Sequence, residues 1–267
     1  MCLSQKGLLA LSEEGEPMVL NEATSESAAR TAAQFATTHW STVLAAGDSE
    51  SPGLREALER LCQTYWYPLY AFIRRKGHCP EDAEDLTQAF FERFLQKHYI
   101  KHVVQAKGPF RTFLLLTLKR FLCDEFDRAS AAKRGGGVPP IPLDTLDAEA
   151  RLNQAAVTFQ TPELIFDAAW AETVIQTSVE RLCAEYRAEG KAAQFVELQP
   201  YLSCPADPGA YAATGQALGL SVEAVRMAVL RLRRRYRALV RAEVANTVAT
   251  PAEIDDEMRY LVGLLGQ

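Results

Sequence analysis

Apolar residues recur at intervals of three and four residues along most of the chain, and this spacing restricts the possible folds more than any other feature. Side chains at such intervals lie on one face of a helix, whereas a half-buried strand requires strict alternation. No stretch alternates in that way, and no hairpin dipeptide separates two apolar runs. The first helical stripe comprises Leu54, Leu58, Leu61, Cys62, Tyr65, Leu69, Phe72 and Ile73. The sequence therefore predicts an all-α protein.

Glycine and proline divide this helical pattern into two small domains. Pro68 interrupts the first stripe, as a kink or as a break between two helices. A second helix is predicted from Pro80 to about Lys97, and a third, with a basic side, from Phe110 to Arg128. A segment rich in glycine and proline follows, and helix resumes after Thr161 as an N-cap. We therefore predict a leader at 1–34, a first domain at 35–134, a flexible linker at 135–162, a second domain at 163–246 and a C-terminal extension at 247–267.

Charge is distributed unevenly along the chain. The net charge of -5 does not suggest a nucleic-acid partner, but two basic blocks stand between acidic ones. Residues 101–134 contain eight lysines and arginines against three acids, and residues 213–241 contain seven against one. Both blocks coincide with predicted helices, so the basic surfaces are expected to be local.

No motif of an enzyme or of a cofactor site is present. The six cysteines include no C-x-x-C pair, and the sequence has no P-loop, dinucleotide-binding turn or nucleophile elbow. His98 and His102 lie four residues apart and His78 adjoins Cys79, but neither pair has the further ligands of a zinc site. No apolar run approaches the roughly 20 residues of a membrane span. We expect a cytoplasmic, non-enzymatic protein without a metal, a cofactor or a membrane partner.

The second basic block has the layout of a helix-turn-helix. Tyr211–Leu218 is predicted as a short helix, Gly219-Leu220 as a tight turn, and Ser221 as the N-cap of a helix reaching about Ala245. An apolar stripe predicts its buried face, and its seven arginines are Arg226, Arg231, Arg233, Arg234, Arg235, Arg237 and Arg241. Arginine suits phosphate oxygens and guanine edges, so the block favours DNA binding over a merely solvated face.

Three segments together resemble the extracytoplasmic-function branch of sigma-70 family sigma factors. The run from Tyr211 to Arg226, followed by Arg231-Leu-Arg-Arg-Arg, is similar to the winged-helix-like region 4 of that family, which reads promoters. Pro80-Glu-Asp-Ala-Glu-Asp-Leu-Thr-Gln-Ala-Phe-Phe resembles the part of region 2 that grips the polymerase clamp, and Phe110-Arg-Thr-Phe-Leu resembles the part that melts the upstream promoter element. The Thr38-x-Trp40-Ser41 start and the Lys133-Arg-Gly-Gly-Gly stretch are similar to the longer planctomycete-like members.

This resemblance implies a DNA-binding subunit that joins core RNA polymerase, directs it to promoter DNA and helps to melt it during transcription initiation. An anti-sigma factor or another regulator is a further class of partner that it allows. The implied polymerase-binding residues are Asp82, Glu84, Asp85, Leu86, Gln88 and Phe91. The implied residues for the upstream element are Phe110, Arg111, Phe113, Lys119, Arg120 and Arg128. Those of the helix-turn-helix are Ser221, Glu223, Ala224, Arg226, Met227, Arg231 and Arg234.

Two departures from the family pattern and one rival interpretation remain. Arg120 stands where related factors usually carry asparagine, and Thr214-Gly215 replaces a stronger helix-forming pair, which could loosen the turn. The rival is a helix-turn-helix regulator that binds duplex DNA as a dimer and never enters polymerase.

The tail predicts one more amphipathic helix after Thr250, with Ile254, Met258, Leu261, Val262 and Leu265 on one face, packed on the second domain or offered to a regulator.

Overall fold

The computed structural model describes residues 52–95, 109–131, 148, 152, 161–203, 208–248 and 250–266. The predicted leader, the segments around Trp40 and Lys133, His98, His102 and nearly all of the predicted linker lie outside these residues. The described part of the chain contains helices and turns but no strand. Its α-helices are α1 Pro52–Arg75, α2 Pro80–Leu95, α3 Phe110–Ala131, α4 Pro162–Ala188, α5 Ala192–Leu198, α6 Pro208–Leu218, α7 Val222–Ala245 and α8 Ala252–Leu265. The all-α prediction is confirmed for this part of the chain.

The chain forms two compact units. The described residues of the N-terminal unit fall within 52–170 and 245–253, and those of the C-terminal unit within 171–244 and 254–266. The first turns of α4 therefore belong to the N-terminal unit, although the sequence assigned that helix to the second domain. None of the described helices is long and apolar enough to span a membrane.

Aromatic side chains form the core of the N-terminal unit. The Tyr65 ring of α1 meets Phe110 of α3 edge to face, with 5.0 Å between ring centroids. Phe90 of α2 lies 5.6 Å from Phe121, and Phe166 of α4 stacks on Tyr65 at 6.3 Å. Such pairs add to the free energy of burial through favourable ring geometry. These contacts hold α1, α2, α3 and the start of α4 together.

Two local features set the ends and the course of these helices. Pro68 lies inside α1, which continues as one helix, and the side chain of Pro68 is buried. The α3 helix begins where the amide of Phe110 donates to the carbonyl of Thr247, at 2.8 Å. A helix leaves its first amides without internal partners, so this bond satisfies one of them. The Thr161 hydroxyl accepts from the amide of Leu164 at 3.2 Å, which confirms the predicted N-cap of α4.

A closely fitted turn joins α6 to α7 in the C-terminal unit. Gly219 has φ +65°, and the amide of Leu220 donates to the carbonyl of Gly215 at 2.8 Å. This left-handed residue and six-to-one bond define a Schellman motif, which ends α6. The Ser221 hydroxyl then accepts from the amide of Ala224 at 3.2 Å and caps α7. The turn thus fixes where α7 begins.

The unusual Thr214-Gly215 pair has a structural reason. A Cβ atom at position 215 would lie 2.7 Å from the carbonyl oxygen of Leu220. The buried hydroxyl of Thr214 hydrogen-bonds the hydroxyl of Tyr201, at 2.8 Å. Glycine therefore permits the close approach of the turn, and threonine satisfies a buried tyrosine, so the pair fits this turn rather than loosening it.

The predicted tail helix is present as α8. The amide of Thr250 donates to the carboxylate of Glu253 at 3.3 Å, as a capping box requires. Its buried residues are Ile254, Glu257, Leu261 and Leu264. Two of these were predicted, whereas Met258, Val262 and Leu265 are only half-buried. The buried face of α8 is therefore rotated slightly from the predicted one.

Replacing Gly215 by alanine should destabilise the protein by roughly 1 to 3 kcal/mol, because the new methyl group meets backbone at the turn. Gly263 in α8 is the matched control, since a Cβ there has no neighbour within 4 Å. Gly263→Ala should stabilise by about 0.5 to 1 kcal/mol through helix propensity. Both changes are measured by denaturant unfolding. Equal stabilisation by the two substitutions would contradict the close approach at Gly215.

Candidate nucleic-acid interface

The acidic candidate residues lie on the accessible side of α2. Asp82 and Asp85 are exposed, and neither pairs with a cation among the described residues. Glu84, Leu86, Gln88 and Phe91 are half-buried. The opposite face of α2 is closed by Ala83, Thr87, Phe90 and Phe94. Asp82 and Asp85 therefore remain available to a partner, and the other four candidates are partly exposed.

Leu95 extends this surface and was not identified from the sequence. It is 45% exposed and follows Gln88 by seven residues and Phe91 by four, so the three share one face of α2. Helical spacing alone does not show which edge of an apolar stripe is covered by other residues. The exposure of Leu95 could therefore not be predicted from the sequence. The acidic side chains thus lie beside an apolar strip on the same helix.

The aromatic candidates on α3 face inward. Phe110 is 1% exposed, and its ring meets Tyr65 of α1 and Phe94 of α2. Phe113 is half-buried, 6.3 Å from Phe94. A base cannot stack on a ring that is already enclosed, so Phe110 is a core residue in this structure. Phe121 of the same helix is 2% exposed and is likewise a core residue.

Two basic candidates on α3 are engaged by acids from the start of α4. The guanidinium of Arg111 donates to Asp167 at 2.8 Å and lies over the ring of Trp170. The side chains of Arg111 and Asp167 are only 14% and 12% exposed. Lys119 contacts Glu163 at 2.8 Å at a more exposed position, and its hydrogen bond holds the pKa of Glu163 below the usual value. Arg111 is therefore a structural residue here, and Lys119 is only partly available.

The remaining basic candidates face solvent. Arg120 is exposed and forms no ion pair within the described part of the chain, whereas Arg128 pairs with Glu125. Phe126 is 73% exposed and Leu116 is 54% exposed on the same helix. Phe126 was not among the residues predicted from the sequence. Its position as an aromatic residue between Arg120 and Arg128 could have indicated it. The solvent-exposed residues Arg120, Phe126 and Arg128, here called the outer side of α3, thus combine two cations with an accessible ring. Arg128 follows the buried Phe121 by seven residues and therefore lies on a different face of the helix from Phe126.

Six of the seven arginines of α7 fall into two groups, and the seventh, Arg237, is half-buried. The inner group holds α7 within its own unit. Arg233 donates to the carbonyl of Tyr201 at 3.1 Å, and Arg241 pairs with Asp255. Arg235 makes two hydrogen bonds to Glu185, at 2.6 and 2.8 Å, which lower the pKa of that carboxyl. These three guanidiniums already have protein partners.

The outer group consists of Arg226, Arg231 and Arg234, and all three are exposed. Arg226 lies over the ring of Tyr211, with 5.7 Å to the ring centroid. Arg231 and Arg234 form no ion pair with any residue that the structure describes. Cations without acidic neighbours attract anions from solution. These were the three arginines that the sequence assigned to DNA.

The other candidates of this helix-turn-helix lie at the start of α7. Ser221, Glu223 and Met227 are exposed, and Ala224 is half-buried beneath the cap. The buried residues of α7 are Val225, Ala228, Val229, Leu232, Tyr236, Leu239, Val240 and Val244. They cover the opposite face, so the candidates and the three outer arginines share the outward side of four successive turns.

A cleft of about 460 Å³ opens beside α7, and Lys191, Tyr186 and Arg231 contribute to its lining. It is open to solvent and lined mainly by charged groups, several of them already paired with one another. Within the described residues, no cluster of three or more His, Cys, Asp or Glu side chains is arranged to hold a metal ion.

Asp167→Asn should lower the free energy of unfolding by about 3 kcal/mol, because it leaves the buried guanidinium of Arg111 without its carboxylate. Glu163→Gln is the matched control on the same helix. The side chains of Glu163 and Lys119 are each about 40% exposed. Glu163→Gln should therefore change the free energy of unfolding by less than about 1 kcal/mol. Chemical denaturation of the two variants measures both values. Equal losses would show that the Arg111 pair does not secure the start of α4.

Comparison with known proteins adds one finding. Residues 61–132 match the family model of Sigma-70 region 2, a segment that includes most of α1, all of α2 and all of α3. No curated protein and no solved structure matches the chain. The matched segment carries both the acidic surface of α2 and the basic outer side of α3. This part of the chain is therefore similar to region 2 of the sigma-70 factors.

Proposed function

We propose that this protein is a sigma factor of the extracytoplasmic-function type, of the longer planctomycete-like variety. It would bind core RNA polymerase, direct it to specific promoters and help to melt the DNA at which transcription begins. The observation that carries the proposal is the region 2 match at residues 61–132, in a chain that also presents unpaired arginines on a capped helix after a tight turn. Such a protein performs no catalysis itself, and it works in the cytoplasm with the polymerase.

The accessible face of α2 is the proposed docking surface for core polymerase. Its carboxylates at Asp82 and Asp85 suit a basic partner, and the half-exposed Leu86 and Phe91 supply apolar anchors. Interfaces of this kind combine an apolar centre with a polar rim that sets orientation. Leu95 extends the apolar part of the surface. We therefore add it to the polymerase-binding residues proposed from the sequence.

The outer side of α3 is the proposed contact for the opened upstream element. Holding an unpaired strand requires cations for its phosphates and an aromatic face for an unstacked base. Arg120 and Arg128 are exposed cations, and Phe126 is an exposed ring on the same helix. We assign the stacking role to Phe126 rather than to Phe110, whose ring is enclosed. Arg111 would act through its ion pair with Asp167, as a positioning residue.

The α6–α7 pair is the proposed helix-turn-helix of region 4, with α7 as the helix that enters the major groove. A helix of this length reaches base edges through its N-terminal turns and phosphates through its flanks. The N-terminal turns of α7 present Ser221, Glu223 and Met227 to solvent. Its outer arginines are available for phosphates, because none of them forms an ion pair within the described part of the chain. DNA-binding residues and structural residues are thus separated on one helix.

The decisive experiment is transcription in vitro from a genomic fragment library, using purified core polymerase with and without the protein. Sequencing the transcript starts should reveal starts that require the protein and share two spaced upstream elements. A regulator that binds duplex DNA as a dimer would instead shift DNA without polymerase and create no new starts. That result, together with failure to bind core polymerase, would overturn the proposal.

Arg234 and its neighbour Arg235 provide a matched pair of variants. Arg234→Ala should remove about one phosphate contact between the polymerase complex and the promoter. The slope of the logarithm of the binding constant against the logarithm of the salt concentration should therefore decrease in magnitude by roughly one. Its stability should stay within about 0.5 kcal/mol of the unchanged protein. Arg235→Ala should leave the salt slope unchanged and lower stability by up to about 1 kcal/mol, because it loses the Glu185 pair. Salt titrations of promoter binding and denaturant unfolding measure both effects. The reverse pattern would contradict the assignment of the two side chains.

A further inference from the structure

Two large apolar side chains stand in the middle of the proposed DNA-facing side of α7. Met227 is 52% exposed and Leu230 is 57% exposed. Glu223, Met227, Leu230 and Arg234 are spaced by four, three and four residues, so they form one outward stripe. The buried residues of α7 fix the opposite face, so both side chains point into solvent. Exposure of two neighbouring apolar side chains is unfavourable unless a partner covers them.

The charges around this pair identify the kind of partner. Arg226 and Arg231 flank the stripe on its two sides, and Arg234 ends it. A partner must therefore carry negative charge along both edges and apolar groups at the centre. Duplex DNA has this arrangement, because two phosphate backbones border the major groove and the 5-methyl group of thymine is the apolar feature of its base edges.

We infer that Met227 and Leu230 read thymine methyl groups in the duplex promoter element that α7 enters, and that the flanking arginines hold the phosphates. This inference rests on the proposed function and adds a specificity to it. Side chains three residues apart on a helix are about 5 to 6 Å apart at their Cβ atoms. Base pairs are stacked about 3.4 Å apart, so the two side chains reach thymines at neighbouring or next-but-one positions. Met227, which is unbranched and flexible, adapts to either strand.

The stripe also predicts what the element does not contain at these positions. Methionine and leucine offer no strong hydrogen-bond partner to any base edge, so every base pair there loses hydrogen bonds to water. Only an A·T pair gains a contact to its methyl group in return. The central positions of the element should therefore be A·T pairs, and the arginines should contribute affinity with little preference among bases.

The DNA side of the test removes only the 5-methyl group of thymine. Promoters identified by transcription mapping are rebuilt with deoxyuridine in place of each thymine of the duplex element that α7 is proposed to enter, one at a time. Binding is measured for the complex of core polymerase with the full chain. Each contacted thymine should weaken binding about threefold to fivefold when its methyl group is absent. Thymines outside the element serve as the DNA control, with no change expected.

The protein side of the test uses Met227→Ala and Leu230→Ala, each of which should abolish sensitivity to one deoxyuridine position. Val196→Ala is the matched control, because Val196 is 65% exposed but lies on α5; it should leave every deoxyuridine effect unchanged. Unfolding measurements should show all three variants to be as stable as the unchanged protein.

The possible failures are distinguishable. If the complex selects promoters but deoxyuridine has no effect at any position, the inference is overturned and the proposed function stands. If Met227→Ala or Leu230→Ala instead weakens binding to core polymerase or to a protein regulator, the stripe is a protein-docking face and the inference is again overturned. If the complex binds no promoter selectively, the proposed function fails as well.

Discussion

Burial of one face of α7 is the constraint on which the rest of the proposed DNA surface depends. Val225, Val229, Leu232 and Tyr236 occupy successive turns of that face, so the direction of every other side chain on the helix is set. Arg233 and Arg235 border the buried face and meet a carbonyl and an acid of their own unit, whereas Arg226, Arg231 and Arg234 meet solvent. Arg241 lies on the outward side, seven residues after Arg234, and pairs with Asp255. Hydrophobic burial therefore decides which cations are available to DNA, although the number of arginines is fixed by the sequence.

The same relation between core and surface holds in the N-terminal unit. Tyr65, Phe90, Phe94 and Phe110 hold α1, α2 and α3 in contact, which leaves the acidic side of α2 and the outer side of α3 accessible. Arg93 strengthens this arrangement, because it reaches from α2 to Asp124 on α3 at 3.0 Å. A rigid aromatic core is a suitable support for the proposed function, since opening DNA requires cations and a ring that keep their relative positions.

Local sequence patterns predict the helices, whereas contacts between residues distant in the sequence determine which side chains are buried or paired. Helical spacing and capping residues predicted α1 to α4 and α6 to α8, because those signals lie within a few residues of one another. The short α5 and the 3₁₀ turn at Gln199–Leu202 were not predicted, since seven residues carry too little periodicity. The enclosure of Phe110 and the pairing of Arg111 could not be predicted either. Both depend on residues more than 40 positions away, Tyr65 and Asp167.

Promoter opening is the central claim, and permanganate reactivity tests it most directly because unpaired thymines react while stacked ones are protected. The account predicts reactive thymines near the transcript start only when core polymerase and this protein are both present. It also predicts that Phe126→Ala reduces this reactivity far more than the change Leu116→Ala on the same exposed side of α3. Protection of duplex DNA by the protein alone, with no reactive thymine when polymerase is added, would contradict the account.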